Sequence, residues 1–255
     1  MVATSPGTVQ LLLKTGANVN IVGFDLRTAQ HHASERRDQR IVQLLVEDGA
    51  NVNAVAYSWS SALLAAEMGN MDVVLYLIHY GADINSPDYH ERTLLHWAAK
   101  HVSDTIVRAL AAKGTNLDAS DRWGRTPLMW AIECMEDAVA LLLLALGAKI
   151  DTKTQNDARA LHVAAFAGCE AVIRQLLKMG ADMDMEARCW QDDGEEEVDL
   201  EVSTTKDMSF HHFLRKRWSV VRVVASAATG TKKRQPGLTV RQLAILRGML
   251  QYKCF

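Results

Sequence analysis

No two of the four cysteines, Cys134, Cys169, Cys189 and Cys254, are spaced as a CxxC pair. That excludes the common zinc and dithiol motifs and favours a reducing compartment. The longest apolar run, Ala138 to Ala148, is too short to span a bilayer, and the opening MVATSPGTVQ lacks the basic and apolar regions of a signal peptide. Also missing are the Asn-x-Ser/Thr acceptor, the G-x-G-x-x-G and G-x-x-x-x-G-K-[ST] phosphate loops, the H-E-x-x-H helix and the nucleophile elbow. The pairs His31-His32 and His211-His212 have no third ligand at metal-binding spacing. These absences lead to the expectation of a non-enzymatic protein that carries no cofactor and no metal, is not embedded in a membrane, and works as a monomer in the cytoplasm, with the nucleus as the alternative.

Charge is present but unevenly spread. Residues 1–191 carry 17 basic and 22 acidic side chains, residues 192–201 carry seven acids and no base, and residues 202–255 carry 11 bases and one acid. The last quarter of the chain is therefore electrostatically distinct from the rest.

Repetition is the dominant feature of the first three quarters. Thr93-Leu94-Leu95-His96-Trp97-Ala98 precedes Thr126-Pro127-Leu128-Met129-Trp130-Ala131 by 33 residues, and Arg159-Ala160-Leu161-His162-Val163-Ala164 follows it by 33. Looser copies stand at Thr28 to Ala33 and Ser60 to Ala65. Gly16, Gly49, Gly81, Gly114, Gly147 and Gly180 keep the same step, broken once by an interval of 32, which belongs in the turn between Asn53 and Ser60. A fixed period of this length marks a solenoid. Threonine at the head of each motif suits a helix N-cap, and Pro127 suits a first helical turn. Stripes such as Val73, Val74, Leu77 and Ile78 mark a buried face on the second helix.

Motif, period and second-helix pattern together resemble the ankyrin repeat. The resemblance covers about five full repeats and implies an all-α solenoid of stacked helix-turn-helix units with projecting turns. On this reading residues 1–25 form a partial N-terminal repeat whose apolar face lacks a partner, residues 26–185 form the array, and residues 186–255 form an acidic linker and a basic, largely disordered tail with a helix at 239–252. Two departures stand out. Gln30 replaces the apolar residue of the motif, so repeat one should be the weakest. Val102 stands where the family has glycine between its two helices, and since a β-branched residue is strained in a left-handed turn, a shifted turn is expected there.

The resemblance also implies a function, that of a scaffold or adaptor for protein partners, gripped by the turn tips and the exposed side of the first helix. Carried over by position, the partner-binding residues are Phe24, Asp25 and Arg27; Tyr57 and Trp59; Tyr89, His90 and Arg92; and Arg122, Trp123 and Arg125. The accompanying helix positions are Glu35, Arg36, Glu67, Met68, Lys100, His101 and Glu133. Aromatics and arginines are the usual composition of interface hot spots, and Trp59 and Trp123 are expected to project freely. The competing reading has these rings bracing one turn against the next. His31, His96 and His162 are expected to hydrogen-bond within the fold, Cys134 and Cys169 to be small buried residues, and Trp97 and Trp130 to meet across neighbouring repeats. An alternative function rests on the tail: Arg215-Lys216-Arg217 and Lys232-Lys233-Arg234 suit nucleic acid or nuclear import, with the repeats recruiting a protein partner.

Overall fold

The computed structural model describes residues 5–182 and the backbone of two short paired segments, Glu186–Ala187 and Leu238–Thr239. The chain divides into two units between Thr152 and Lys153. The first holds α1 (Pro6–Lys14) and four helix pairs: α2 (Ala29–Glu35) with α3 (Gln39–Glu47), α4 (Ser61–Glu67) with α5 (Met71–His79), α6 (Leu94–Lys100) with α7 (Asp104–Ala112), and α8 (Pro127–Glu133) with α9 (Asp137–Ala145). The second holds a fifth pair, α10 (Ala160–Ala167) and α11 (Glu170–Lys178), and the antiparallel pair β3 (Glu186–Ala187) with β4 (Leu238–Thr239). Thr239 thus stands in a strand, and the rest of the helix expected over 239–252 lies outside the described residues. No described helix is long and apolar enough to cross a membrane.

Local chemistry sets each helix start. The hydroxyls of Ser5, Ser60 and Thr126 accept from the N–H of Thr8, Leu63 and Met129, satisfying donors that the first turn leaves orphaned. At Thr28 and Thr93 the cap is reciprocal, because Nδ1 of His31 and His96 accepts the threonine N–H at 3.2 and 3.1 Å. With Nδ1 accepting, the ring proton sits on Nε2. It is donated across the repeat boundary, from His31 to the Trp59 carbonyl at 3.2 Å and from His96 to the Arg125 carbonyl at 3.1 Å. The motif histidine is therefore both cap and rivet.

In the first unit the short helices α2, α4, α6 and α8 pack side by side in order, and the longer helices α1, α3, α5, α7 and α9 form the layer behind them. The stripe predicted from spacing is the core: Val73, Val74, Leu77, Ile106, Val107, Leu110, Val139 and Leu143 are all shut away from solvent. Along the far edge, the Asn20 amide donates to the Gly49 carbonyl at 3.1 Å and accepts from Asn51 at 2.8 Å, and Asn53 repeats the arrangement with Gly81 and Asp83. Each such asparagine ties two backbone groups of the following repeat.

The turn at Val102 is not shifted. Val102 takes φ 56°, matching Arg37, Gly69 and Met135 at the same position of the other pairs, and the next N–H, from Ser103, reaches the Ala98 carbonyl as its counterparts do. The five-residue closure dominates, and the valine bears the strain. Val102→Gly should accordingly raise stability by about 1 kcal/mol, the cost of a left-handed L-residue less the extra chain entropy of glycine, read as a higher urea midpoint.

Gln30 is buried, and neither its amide nitrogen nor its oxygen has a hydrogen-bond partner among the described residues; the same is true of the Ser34 hydroxyl one helical turn on. Leu95 and Leu128 fill the Gln30 position in later repeats. Gln30→Leu should therefore stabilise the chain by about 1–2 kcal/mol, since the desolvation penalty of the amide disappears. Hydrogen exchange confined to α2 and α3 would slow with it.

Candidate interaction surface

The turns of repeats three and four are built on one template. In repeat four the Asp121 N–H donates to the Arg125 carbonyl at 2.9 Å, and Oδ1 of Asp121 accepts the N–H of Trp123 at 3.0 Å and of Arg125 at 2.8 Å. Oδ2 accepts Nε of Arg125 at 2.8 Å and the indole N–H of Trp130 at 3.0 Å. In repeat three, Asp88 likewise takes the N–H of His90 and Arg92 on Oδ1 and Arg92 Nε on Oδ2 at 2.6 Å. An aspartate four residues before an arginine thus closes the turn and draws the guanidinium inward.

The arginines end among indole rings. Arg92 lies 4.5 Å from the centre of Trp97, 5.8 Å from Trp59 and 5.9 Å from Trp130, while Arg125 lies 4.8 Å from Trp123 and 5.0 Å from Trp130. Trp97 meets Trp130 edge to face at 5.6 Å, the contact expected from their positions. Arg92 and Arg125 are only 3% and 7% exposed, so they are structural cations and not the surface contacts expected from sequence.

Trp59 and Trp123 require a similar correction. Both are half-buried: Trp59 lies 6.2 Å from Trp97 of the next repeat, and Trp123 stacks on His90 of the preceding repeat at 5.4 Å. They brace neighbouring turns, and only part of each ring faces solvent. Glu133, expected on the exposed side of its helix, is also drawn in, with 12% of its side chain accessible and an oxygen 3.2 Å from Arg125. Burial pushes its carboxyl up to about 7, against the opposing pull of the guanidinium. Next to it, burial raises the Cys134 thiol to about 11, so at neutral pH it is a thiol and a poor nucleophile.

Repeats one and two depart from the template in opposite ways. Gly23 occupies the aspartate position, and a Cβ there would come within 2.7 Å of Asp25 Oδ1. The missing side chain leaves room for the Asp25 carboxylate to fold back and accept the Arg27 N–H at 3.2 Å, while Arg27 pairs with Glu35 at 2.7 Å. In repeat two the shortened turn is a two-residue hairpin of β1 (Val55–Ala56) and β2 (Trp59–Ser60), paired Ala56 with Trp59, in which Tyr57 and Ser58 take φ 50° and 66°. Two left-handed residues fit the twist of a two-residue hairpin, so the interval of 32 lies at the tip.

What remains outside is a smaller set. Phe24 is fully exposed, Tyr57 is 63% and Tyr89 is 69% exposed, and Asp25 and Arg122 are also at the surface. Arg27, His90, Lys100, His101, Glu67 and Met68 are half-buried. His101 donates from Nε2 to the Glu67 carbonyl of the preceding repeat at 3.0 Å, and Lys100 lies 4.8 Å from the Trp97 ring. The backbone N–H of Arg122 reaches the His90 carbonyl at 2.9 Å, so the turns of repeats three and four are directly joined. Asp88 and Asp121 went unassigned from sequence, although their Asp-x-x-x-Arg spacing, repeated 33 residues apart, was visible. The basic clusters Arg215-Lys216-Arg217 and Lys232-Lys233-Arg234 lie outside the described residues.

A family model for ankyrin repeats matches residues 1–88 and 95–187 in three copies. No curated protein matches the chain.

Proposed function

The chain belongs to the ankyrin-repeat family, and on that premise we propose that it is a non-catalytic protein-interaction module whose partner sits on the outward side chains of the first unit's turns. The family generally mediates contacts between proteins. The observation that carries the reading for this chain is a division of labour between buried and exposed turn residues. Asp88 with Arg92 and Asp121 with Arg125 hold the turns of repeats three and four from behind, whereas Phe24 and Tyr57 stand outside and Tyr89 touches its own turn only edge-on, against His90 at 5.3 Å. A rigid backing with exposed aromatic rings in front is the arrangement that loses little entropy on binding.

Replacing Phe24, Tyr57 and Tyr89 together by serine should weaken the hold of the full chain on its protein partner by roughly 2 kcal/mol or more and leave the melting temperature unchanged. Unaltered affinity, with melting equally unaltered, would remove the tips from the binding surface. The nucleic-acid alternative is supported only by the charge of residues 202–255, and a charge run of that kind is a weak signal.

A further inference from the structure

The pair formed by β3 and β4 repeats the register of the hairpin in repeat two. β1 begins six residues after Gly49 and β3 six residues after Gly180. Val55 stands opposite Ser60 and Ala56 opposite Trp59 in one pair, and Glu186 stands opposite Thr239 and Ala187 opposite Leu238 in the other. Ser60 is the N-cap of α4, so Thr239 stands where a helix N-cap belongs. The two pairs differ in what joins them, Tyr57 and Ser58 in repeat two against residues 188–237 here.

The sequence around Thr239 keeps the count of the array. Its N-caps, Thr28, Ser60, Thr93, Thr126 and Arg159, each have a left-handed residue two places before and another nine places after: Leu26 and Arg37, Ser58 and Gly69, Glu91 and Val102, Gly124 and Met135, Asp157 and Gly168. Counted from Thr239, those two places hold Gly237 and Gly248, the residue type that takes a positive φ without strain. Five places after each N-cap comes a buried alanine, Ala33, Ala65, Ala98, Ala131 or Ala164, and five after Thr239 comes Ala244. Leu243 takes the place of Trp97 and Trp130. Arg241 is the departure, a cation where the array buries Gln30, Leu95 and Leu128, and desolvating it weakens the unit. The 33-residue step misses this unit because the count is interrupted at the turn.

The fifth helix pair offers such a unit an apolar face. Val163 of α10 and Ile173 and Leu177 of α11 are half-buried, whereas Leu64, Trp97, Val74, Val107 and Ile78, in the same places of earlier pairs, are closed off from solvent. Val172 and Leu176 are fully buried, so the opening is confined to one side of α11. In a solenoid that side is covered by the next repeat. We propose that residues 239–248 belong to a sixth repeat, whose first helix packs on Val163, Ile173 and Leu177, and that residues 188–237 are an insertion in its turn. The acids of 192–201 and the clusters Arg215-Lys216-Arg217 and Lys232-Lys233-Arg234 then lie in a loop closed at both ends by β3 and β4.

Amide hydrogen exchange of the full chain, read by mass spectrometry, tests this first. Peptides covering 240–247 should exchange about tenfold or more slowly than those within 188–237, because only the former lie in a packed unit. Ala244→Asp should remove that protection, and Ala227→Asp, inside the insertion, should leave it unchanged. Equal exchange in the two segments, or protection indifferent to Ala244→Asp, would overturn the sixth repeat. A second measurement does not depend on how firmly the helix is held. A photoreactive phenylalanine analogue is placed at position 163, which corresponds to the tryptophans of repeats three and four, and the melting temperature confirms that the variant is folded. Illumination should join position 163 to residues 240–248 of the same chain. A crosslinked dimer would assign the face to a second copy, and crosslinks into 188–237, or none at all, would leave residues 239–248 off it; each of these results would overturn the proposal.

Discussion

Asp121→Ala should lower the unfolding free energy by about 3–5 kcal/mol, the range for removing one partner of a buried ion pair. The methyl group deletes the acceptor for two backbone N–H groups, the Arg125 guanidinium and the Trp130 indole at once. Arg125 is left buried against Trp123 and Trp130 with only Glu133 beside it, and burial already disfavours the charged form of that carboxyl. Urea unfolding of the full chain gives the number. Asp25→Ala, in the exposed turn of repeat one, should stay within about 1 kcal/mol of the parent. A loss at Asp121 as small as that at Asp25 would mean that Arg125 swings out into water, and it would return Arg125 to the binding surface.

Acid titration should reveal two opposed buried groups. Burial lowers His96 from 6.5 to about 4, so between those values the unfolded chain binds the proton more tightly than the folded one. The stability that His96 contributes is complete above pH 6.5 and is lost as pH falls towards 4. At 1.36 kcal/mol per unit, the difference amounts to about 3 kcal/mol. Burial lowers His31 and His101 in the same sense. Glu133 acts in reverse: its carboxyl is raised from 4.5 to about 7, so the folded chain binds the proton more tightly and stability falls as pH rises through that window. Between pH 4.5 and 6.5 the two contributions offset each other in the parent. Glu133→Gln should uncover the histidine, giving stability that rises by about 3 kcal/mol from pH 4 to 6.5, whereas His96→Gln should flatten or invert that slope. Parallel profiles in the two variants would mean that neither group carries the pH dependence.

Much of this architecture is legible in the amino-acid sequence, because ankyrin units are specified locally. The threonine caps and the apolar stripes each act within one turn of helix, and 33-residue spacing then places them one above another. Gln30 was legible as a weak point for the same reason, since an amide in a leucine position has nothing nearby to bond. The direction of Arg92 and Arg125 was not legible from position within the turn. A tip arginine faces solvent or core depending on whether an acid and a flat apolar wall wait behind it, and for Arg92 the wall is assembled from three separate repeats, by Trp59, Trp97 and Trp130. Val102 failed for a different reason. Local strain of about 1–2 kcal/mol was weighed alone, but the hydrogen bond from Ser103 to Ala98 and the packing of two helices hold the turn in place. The position of Trp59 is not legible locally, because its neighbour Trp97 lies a repeat away.

Site-directed photo-crosslinking tests the central claim most directly. A photoreactive amino acid would be placed singly at positions 57 and 89 on the tips, and at positions 40 and 108 on the exposed side of the second helices, in the full chain within living cells. The account predicts covalent adducts with a protein from positions 57 and 89 and none from 40 and 108. Adducts from 40 or 108, with none from the tips, would contradict it.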